Sequence, residues 1–234
     1  MPWDFALILA LLAFAVPLMG RYRIRQLLGL AATTSGQRLR LYASTVFSQW
    51  IAAAVILWRC RVHGVSLDEL GMAIPMPRLT VLVALGLAGL LVANQILAVQ
   101  QIEKQPDKAN GVMPRLALRI FPQNTVERLA FVSVVTTVSV CEEFIYRGFV
   151  QWTFQNWAAG RVWVGIVASA IFFGTAHLYQ GRQGVAATGV MGLVFSAVRA
   201  WTMSLLPCVA AHFVTDLTVG LLAPARLVAV RQRE

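Results

Sequence analysis

The sequence predicts an all-α, polytopic helical membrane protein with about seven transmembrane helices, or eight if part of a loop re-enters the bilayer. Hydrophobic residues make up 58% of the 234 residues and charged residues only 13%, which leaves almost no room for a separate globular domain. Apolar runs of membrane-spanning length recur along the chain, and the connectors between them carry most of the arginines.

The basic character of the chain has a simpler explanation than binding to nucleic acid. The formal net charge is +10, yet the arginines lie between apolar segments instead of forming one continuous stripe. Basic loops that flank membrane spans account for this pattern. We therefore expect the lipid bilayer as a partner, and no nucleic acid.

The apolar segments are bounded by proline, glycine, polar and basic residues. In chain order the predicted spans cover residues 5–19, 41–58, 79–100, 125–157, 162–178, 185–200 and 203–222. A basic loop is expected from Arg21 to Arg40, between the first two spans. The fourth segment has 33 residues and would measure roughly 50 Å as one straight helix, so it must tilt, kink or break.

Two connectors carry signals for short helices. Ser66 and Glu69 have the spacing of a capping box, which predicts a short interfacial helix. Arg115 and Arg119 are four residues apart in a stretch bounded by prolines, a pattern that fits a helix lying on the membrane surface.

The distribution of basic residues predicts the orientation of the chain. No positive charge precedes the first apolar run, so we expect no cleavable signal peptide. With the N-terminus outside, the predicted cytoplasmic loops and tail carry 14 lysines and arginines and the outer loops carry 5, in agreement with the positive-inside rule. We expect a multi-pass protein of a bacterial inner membrane with a cytoplasmic C-terminus.

Three charged residues interrupt the fourth predicted span. Glu142, Glu143 and Arg147 lie in an otherwise apolar segment, although a charge near the bilayer centre costs about 2.5–3.5 kcal/mol. On a helix Glu143 and Arg147 share a face at ion-pair spacing, whereas Glu142 points about 100° away from Glu143. Two interpretations are open: a structural ion pair that joins two helices, or a catalytic carboxylate held by its neighbours.

Two later spans each contain a histidine. His177 lies near the end of the fifth span, and His212 shares a helix face with Asp216 in the seventh. Glu142 precedes the predicted turn at Gly160 by 18 residues and His177 follows it by 17. Antiparallel helices that rise about 1.5 Å per residue place both side chains about 26 Å from that turn. We therefore expect Glu142 and His177 to meet, with His212 within reach if the helices tilt.

These residues resemble three motifs of the CAAX protease and bacteriocin-processing family, also called Abi, whose members include the Ras-converting CAAX endopeptidase. The matching residues, in the family's order, are Glu142-Glu143 with Arg147, Phe173 with His177, and His212 with Asp216. The resemblance covers residues 60–220 and is strongest over 125–217. It divides a single membrane domain into N-terminal transmembrane helices at 1–60 and a family-like protease core at 61–234.

The resemblance implies an intramembrane endopeptidase that hydrolyses a peptide bond. In this family Glu142 and His177 would hold and deprotonate a water molecule, and His212 would steady the oxyanion together with the last motif residue. Arg147 would keep Glu143 ionised. The substrate would be a peptide or a membrane protein, with lipidated CAAX tails and bacteriocin leaders both open.

The last motif position departs from the prenyl-protease relatives, which have asparagine where this chain has Asp216. An ionised carboxylate cannot donate a hydrogen bond to an oxyanion. We therefore expect Asp216 to accept from His212 and to fix its tautomer or charge, which leaves His212 as the donor.

The need for a metal is left open by the sequence. Family members are often described as metalloproteases, and Glu142, His177 and His212 would give a zinc ion one carboxylate and two imidazoles with one open position. There is no His-Glu-x-x-His pair, and a metal-free glutamate mechanism explains the adjacent carboxylates equally well. No cofactor is therefore certain.

Three other functions compete with this interpretation. A proton- or ion-coupled transporter also places ionisable groups in membrane spans, but the chain has no internal repeat with broken helices in matching positions. A non-catalytic membrane scaffold would not need intact motifs. A Cys–His protease built on Cys208, one helical turn before His212, lacks the electropositive and exposed setting of a reactive thiol.

Overall fold

The protein is described by a computed structural model that covers residues 2–30, 32–104 and 112–231. In this part of the chain all regular secondary structure is helical, which confirms the predicted fold class. The helices are, in chain order, α1 (Trp3–Ala10), α2 (Val16–Gly29), α3 (Ser35–Val62), α4 (Pro77–Lys104), α5 (Val112–Ile120), α6 (Thr125–Glu143), α7 (Gln151–Trp157), α8 (Val162–Ala176), α9 (Gly181–Thr202) and α10 (Leu206–Arg231).

Several of these helices are long and apolar enough to cross a membrane. The spans that qualify among the described residues are Trp3–Gly29, Ser35–Val62, Pro77–Ala98, Thr125–Trp157 and Leu178–Thr202. Two further apolar helices are shorter, Val162–Ala176 and Leu206–Leu222. Together they correspond to the seven predicted segments, and the prediction of a multi-pass membrane protein is confirmed.

The N-terminal helix is longer than the sequence predicted. A π-helical turn, Leu11–Ala15, joins α1 to α2 without a break. Because a π turn shifts the backbone hydrogen-bond pattern just before Pro17, the proline, which has no N–H to donate, is accommodated inside the helix. The helix therefore continues past Pro17 to Gly29, and the expected basic loop from Arg21 to Arg40 is wrong.

The start of α3 also lies inside that expected loop. Thr34 caps the helix: its hydroxyl accepts from the Gln37 backbone N–H, and the Gln37 side chain accepts from the Thr34 N–H. This reciprocal pair satisfies two N–H groups that a helix start leaves without partners. The connector between the first two spans is therefore short.

The fourth predicted span is one unbroken helix, Thr125–Trp157. Asn124 caps it by accepting from the Glu127 backbone N–H, and a π-helical segment, Phe144–Val150, joins α6 to α7 directly after Glu143. The departure from regular α-helix therefore falls at the charged motif. The turn that follows lies where the sequence placed it, with Ala159 and Gly160 at φ of 54° and 81°.

The connector between α3 and α4 has the predicted cap but no helix. The Ser66 N–H and hydroxyl both donate to the Glu69 carboxylate, and the Glu69 N–H donates to the Ser66 hydroxyl. The residues that follow form turns, so the expected interfacial helix is wrong. Instead the Gly71 carbonyl accepts from the Leu205 N–H at 2.7 Å, which docks this connector on the turn between α9 and α10.

The stretch containing Arg115 and Arg119 is helical, as α5.

Buried charges hold α3 against α6. Arg38 donates to both carboxylate oxygens of Glu127, at 2.8 and 3.1 Å, and both side chains are buried. At the other end of α3, Asp4 accepts from Arg59 at 2.6 Å and contacts His63 at 3.0 Å. His63, which follows α3 directly, thus helps to attach α1.

Elsewhere α10 packs on α4 and α6, and α8 packs on α7 and α9. The largest apolar core surrounds the π-helical segment, whose Phe149 and Val150 are completely buried. The charged motif therefore lies within this apolar core.

Candidate active site

The π-helical segment places the first motif in the protein interior. All of its residues, Phe144–Val150, are buried. Arg147 Nη1 donates to Glu143 Oε1 at 3.0 Å, and both side chains are 0% exposed. The ion pair predicted from their spacing is thus present. Because neither charge contacts solvent, each depends on the other for compensation.

The guanidinium of Arg147 is also held by aromatic rings from two other helices. It lies 4.0 Å from the ring centroid of Phe173 on α8 and 5.2 Å from that of Phe195 on α9. Cation–π contacts of this kind stabilise a desolvated cation. Arg147 therefore links the motif on α6 to the helix that carries the second motif.

His212 on α10 is placed between two carboxylates. Its Nδ1 lies 2.8 Å from Glu143 Oε1, and its Nε2 lies 3.4 Å from Asp216 Oδ2. The first is a hydrogen-bond distance, whereas the second is an ion-pair distance slightly beyond it. The sequence predicted Asp216 as the partner of His212, and the structure adds Glu143 as the nearer one. Each ring nitrogen can donate to a carboxylate when the imidazole is doubly protonated.

His177 lies directly after α8, where the helix ends. Its Nδ1 lies 2.7 Å from the carbonyl oxygen of Phe173, and a carbonyl can only accept, so Nδ1 carries the proton. This leaves Nε2 free. The imidazole is partly accessible and packs beside the rings of Phe173 and Tyr179, with centroid distances of 4.6 and 5.7 Å.

Glu142 has a different environment from its neighbour Glu143. Its carboxylate is partly accessible and accepts a hydrogen bond of 3.0 Å from the side-chain amide of Gln49 on α3. Among the described residues its carboxylate makes no ion pair with an arginine or a histidine, unlike that of Glu143. The expected meeting of Glu142 and His177 is not a direct contact, because the hydrogen bonds of these two side chains among the described residues go to Gln49 and to the Phe173 carbonyl.

Two side chains at the site were missed by the sequence reasoning. Gln49 is a lone amide within an apolar segment, which is a signal that a search for polar residues in spans would have found. Tyr179 directly follows the second motif, but nothing in its spacing distinguishes it from a packing residue. Of the six predicted site residues, the structure joins Glu143, Arg147, His212 and Asp216 by direct contacts. Glu142 and His177 lie on α6 and directly after α8 and have other hydrogen-bond partners.

The proposed zinc ligands do not form a metal site in this arrangement. Among the described residues, no group of three His, Cys, Asp or Glu side chains is placed to hold a metal ion. Both ring nitrogens of His212 face carboxylates, so the imidazole would have to leave Asp216 to become a ligand through Nε2. The donor set Glu142, His177 and His212 therefore does not fit a bound zinc ion as it stands.

A cavity of about 620 Å³ opens beside the site. Tyr179, whose ring contacts His177, forms part of its wall. The rest of the lining is mainly apolar, and Arg21, Arg25 and Arg182 stand along it. The cavity does not contain the carboxylates themselves, so it is a neighbour of the site and not the site.

A comparison with protein families matches the part of the chain that contains these site residues. Residues 124–218 match a family model described as type II CAAX prenyl endopeptidase Rce1-like. This stretch begins at the cap of α6 and ends within α10, so it includes every predicted site residue. No curated protein and no solved structure matches the chain.

Proposed function

The family predicted from the three motifs is confirmed over residues 124–218, and on this premise we propose that the chain hydrolyses a peptide bond within the membrane by means of a water molecule activated by Glu142. The substrate class follows the family name: a peptide whose C-terminal tail carries a prenyl group. The mainly apolar cavity beside Tyr179 is the place proposed for the prenyl chain.

The observation that carries this proposal is the difference between the two adjacent carboxylates. Glu143 is completely buried and is held by Arg147 and His212. Glu142 is partly accessible and is bonded to a neutral amide alone among the described residues. A carboxylate neutralised by an arginine is a poor base, whereas one without a cationic hydrogen-bond partner can accept a proton. Glu142 is therefore the base and Glu143 the support.

His177 is the second group that orients the water. Because its Nδ1–H donates to the Phe173 carbonyl, its Nε2 presents a lone pair toward the accessible side of the ring. A water molecule between Glu142 and His177 can donate one proton to each, which directs an oxygen lone pair at the substrate carbonyl.

His212 stabilises the oxyanion. Glu143 holds Nδ1, and Nε2 can donate a hydrogen bond to a negatively charged oxygen that approaches from the side of Asp216. Loss of one such donor costs other hydrolases about 2.7–4 kcal/mol of transition-state stabilisation. Asp216 Oδ2 lies 3.4 Å from the same Nε2, at an ion-pair distance.

The reaction then proceeds in two balanced steps. The water oxygen attacks the carbonyl carbon, Glu142 takes the proton, and the carbonyl oxygen becomes an oxyanion that accepts from His212. In the second step the carbon–nitrogen bond breaks, and Glu142 returns its proton to the leaving nitrogen. The products are an amine and a carboxylic acid, and the acid then loses the second proton of the water to the solvent or to the amine. The carboxylate of Glu142 is ready for another water.

The test is hydrolysis by purified protein of a panel of peptides with and without a C-terminal prenyl group. We expect cleavage of the prenylated peptides, with a new carboxyl group that contains oxygen from labelled solvent water. Each peptide is also assayed in the presence of a metal chelator. Activity that is retained in chelator supports the metal-free glutamate mechanism, and activity that is lost in chelator and restored by zinc contradicts it. Solute uptake that depends on a pH gradient, without any cleavage, would favour a transporter instead.

A further inference from the structure

We propose that Gln49 is a positioning residue for Glu142, so that α3, which lies outside the family-matched residues 124–218, completes the active site. The inference rests on the proposed function, because it assigns to Gln49 the task of orienting the carboxylate that activates water. It goes beyond the three motifs, which all lie after residue 140.

The contact itself has a defined direction. Gln49 Nε2 lies 3.0 Å from Glu142 Oε1, and an ionised carboxylate only accepts hydrogen bonds, so the amide N–H₂ donates. Both side chains are partly accessible. An amide in a membrane span that lacks a partner is costly, and this favours a persistent bond.

Other hydrogen bonds between α3 and α6 hold the two helices together and so keep Gln49 next to Glu142. Arg38 is bonded to Glu127 by two hydrogen bonds near the start of both helices. The indole N–H of Trp50 donates to the Thr137 hydroxyl at 3.1 Å, further along both helices. The residue later in α3 contacts the residue later in α6, so the two helices run parallel. These bonds fix the position of α3 along α6 and its rotation about its own axis.

The bond from Gln49 has a specific effect on the base. It engages Oε1 of Glu142 and is the hydrogen bond that this side chain makes among the described residues. With Oε1 held, rotation of the carboxylate is restricted and Oε2 stays available for the water. Without the amide, the carboxylate samples other rotamers, and fewer bound substrates meet a base in the reactive geometry.

The variants are chosen to separate orientation from folding. Gln49→Met has nearly the same length and no amide, and Gln49→Glu has nearly the same shape but cannot donate when ionised. Trp50→Phe is the matched control, since it removes a hydrogen bond between the same two helices at the neighbouring residue without touching Glu142. Glu142→Gln is measured alongside as the reference for lost chemistry. For each variant kcat, KM and thermal stability are determined on the full chain.

We expect both Gln49 variants to lower kcat by about 10- to 100-fold, the usual effect of removing a group that orients a catalytic side chain, with KM changed by less than about twofold. Trp50→Phe keeps the kcat of the unmodified chain. The inference is overturned if the Gln49 variants keep full kcat, or if Trp50→Phe loses as much. If Gln49→Met folds poorly, the kcat of Gln49→Glu alone tests the inference. If Glu142→Gln is itself active, the proposed function fails too; if it is inactive while both Gln49 variants are fully active, this inference alone fails.

Discussion

The Nδ1 atom of His212 lies 2.8 Å from Oε1 of Glu143, the same oxygen that accepts the hydrogen bond from Arg147. One carboxylate oxygen thus joins the first motif to the third. The ring stack of Phe173 on Arg147 brings in the helix of the second motif. Glu143 is therefore the common support of the site, because it accepts from Arg147 and holds Nδ1 of His212.

Removal of this support is expected to destabilise the fold. Glu143→Ala leaves the buried Arg147 without its counter-ion, a change that typically costs about 3–5 kcal/mol. The matched comparison is Glu142→Ala, at the adjacent and partly accessible position that has no arginine partner. Thermal unfolding in detergent measures both. Equal stability of the two variants would contradict the assignment of Glu143 as the structural carboxylate.

His212 and Asp216 are expected to differ in their effects on turnover. His212→Ala removes the oxyanion donor and should lower kcat by about 100- to 1000-fold. Asp216→Asn should cost much less, because Glu143 at 2.8 Å still orients the imidazole while Asp216 lies at 3.4 Å with a side chain that is 39% exposed. Steady-state kinetics on one peptide compares them. A loss in Asp216→Asn as large as that in His212→Ala would show that Asp216 is the essential partner.

We expect the stability of the protein to depend on neither charge of the buried Arg38–Glu127 pair being left without its partner, more than on the presence of the pair itself. Either single variant, Arg38→Met or Glu127→Leu, leaves an uncompensated buried charge and should destabilise the protein by about 3–5 kcal/mol. The double variant should recover a large part of that loss, because both charges are then absent. Thermal unfolding or limited proteolysis provides the measurement. A double variant less stable than either single one would be inconsistent with this account.

A weak pH dependence is expected from the connector between α3 and α4. Hydrogen bonds from the Ser66 N–H and hydroxyl lower the pKa of Glu69. The unfolded chain therefore binds a proton more readily at this position, so the stabilisation is present above the ordinary pKa of glutamate and is lost as the pH falls through the lowered pKa. Ser66→Ala should flatten this part of the curve of melting temperature against pH, measured between about pH 3 and 6. An unchanged curve in Ser66→Ala would contradict the role of this cap.

The parts of the site that the sequence predicted are those set by helical periodicity. Glu143 with Arg147 and His212 with Asp216 are four residues apart on continuous helices, so their pairing follows from local geometry. A shared level for Glu142 and His177 is predicted in the same way, from their nearly equal distances to one turn. These relationships need no knowledge of how one helix is rotated against another.

The contacts that were missed depend on that rotation. His212 and Glu143 are 69 positions apart, and Gln49 and Glu142 are 93 apart. Periodicity gives the face of each helix but not which face meets which, since crossing angle and rotation are set by side-chain packing. The predicted end of the first span at residue 19 was wrong for a local reason, because a π-helical turn accommodates Pro17 and the helix continues.

The most direct measurement of the central claim is the kcat of Glu142→Gln on a prenylated peptide, with thermal unfolding of the same preparation. The amide has the shape of the carboxylate but cannot take a proton from water. We expect kcat to fall by at least about 1000-fold with little change in stability, whereas the buried Glu143 should be the sensitive position for folding. A Glu142→Gln variant that retains more than about a tenth of the original kcat would show that this carboxylate is not the base.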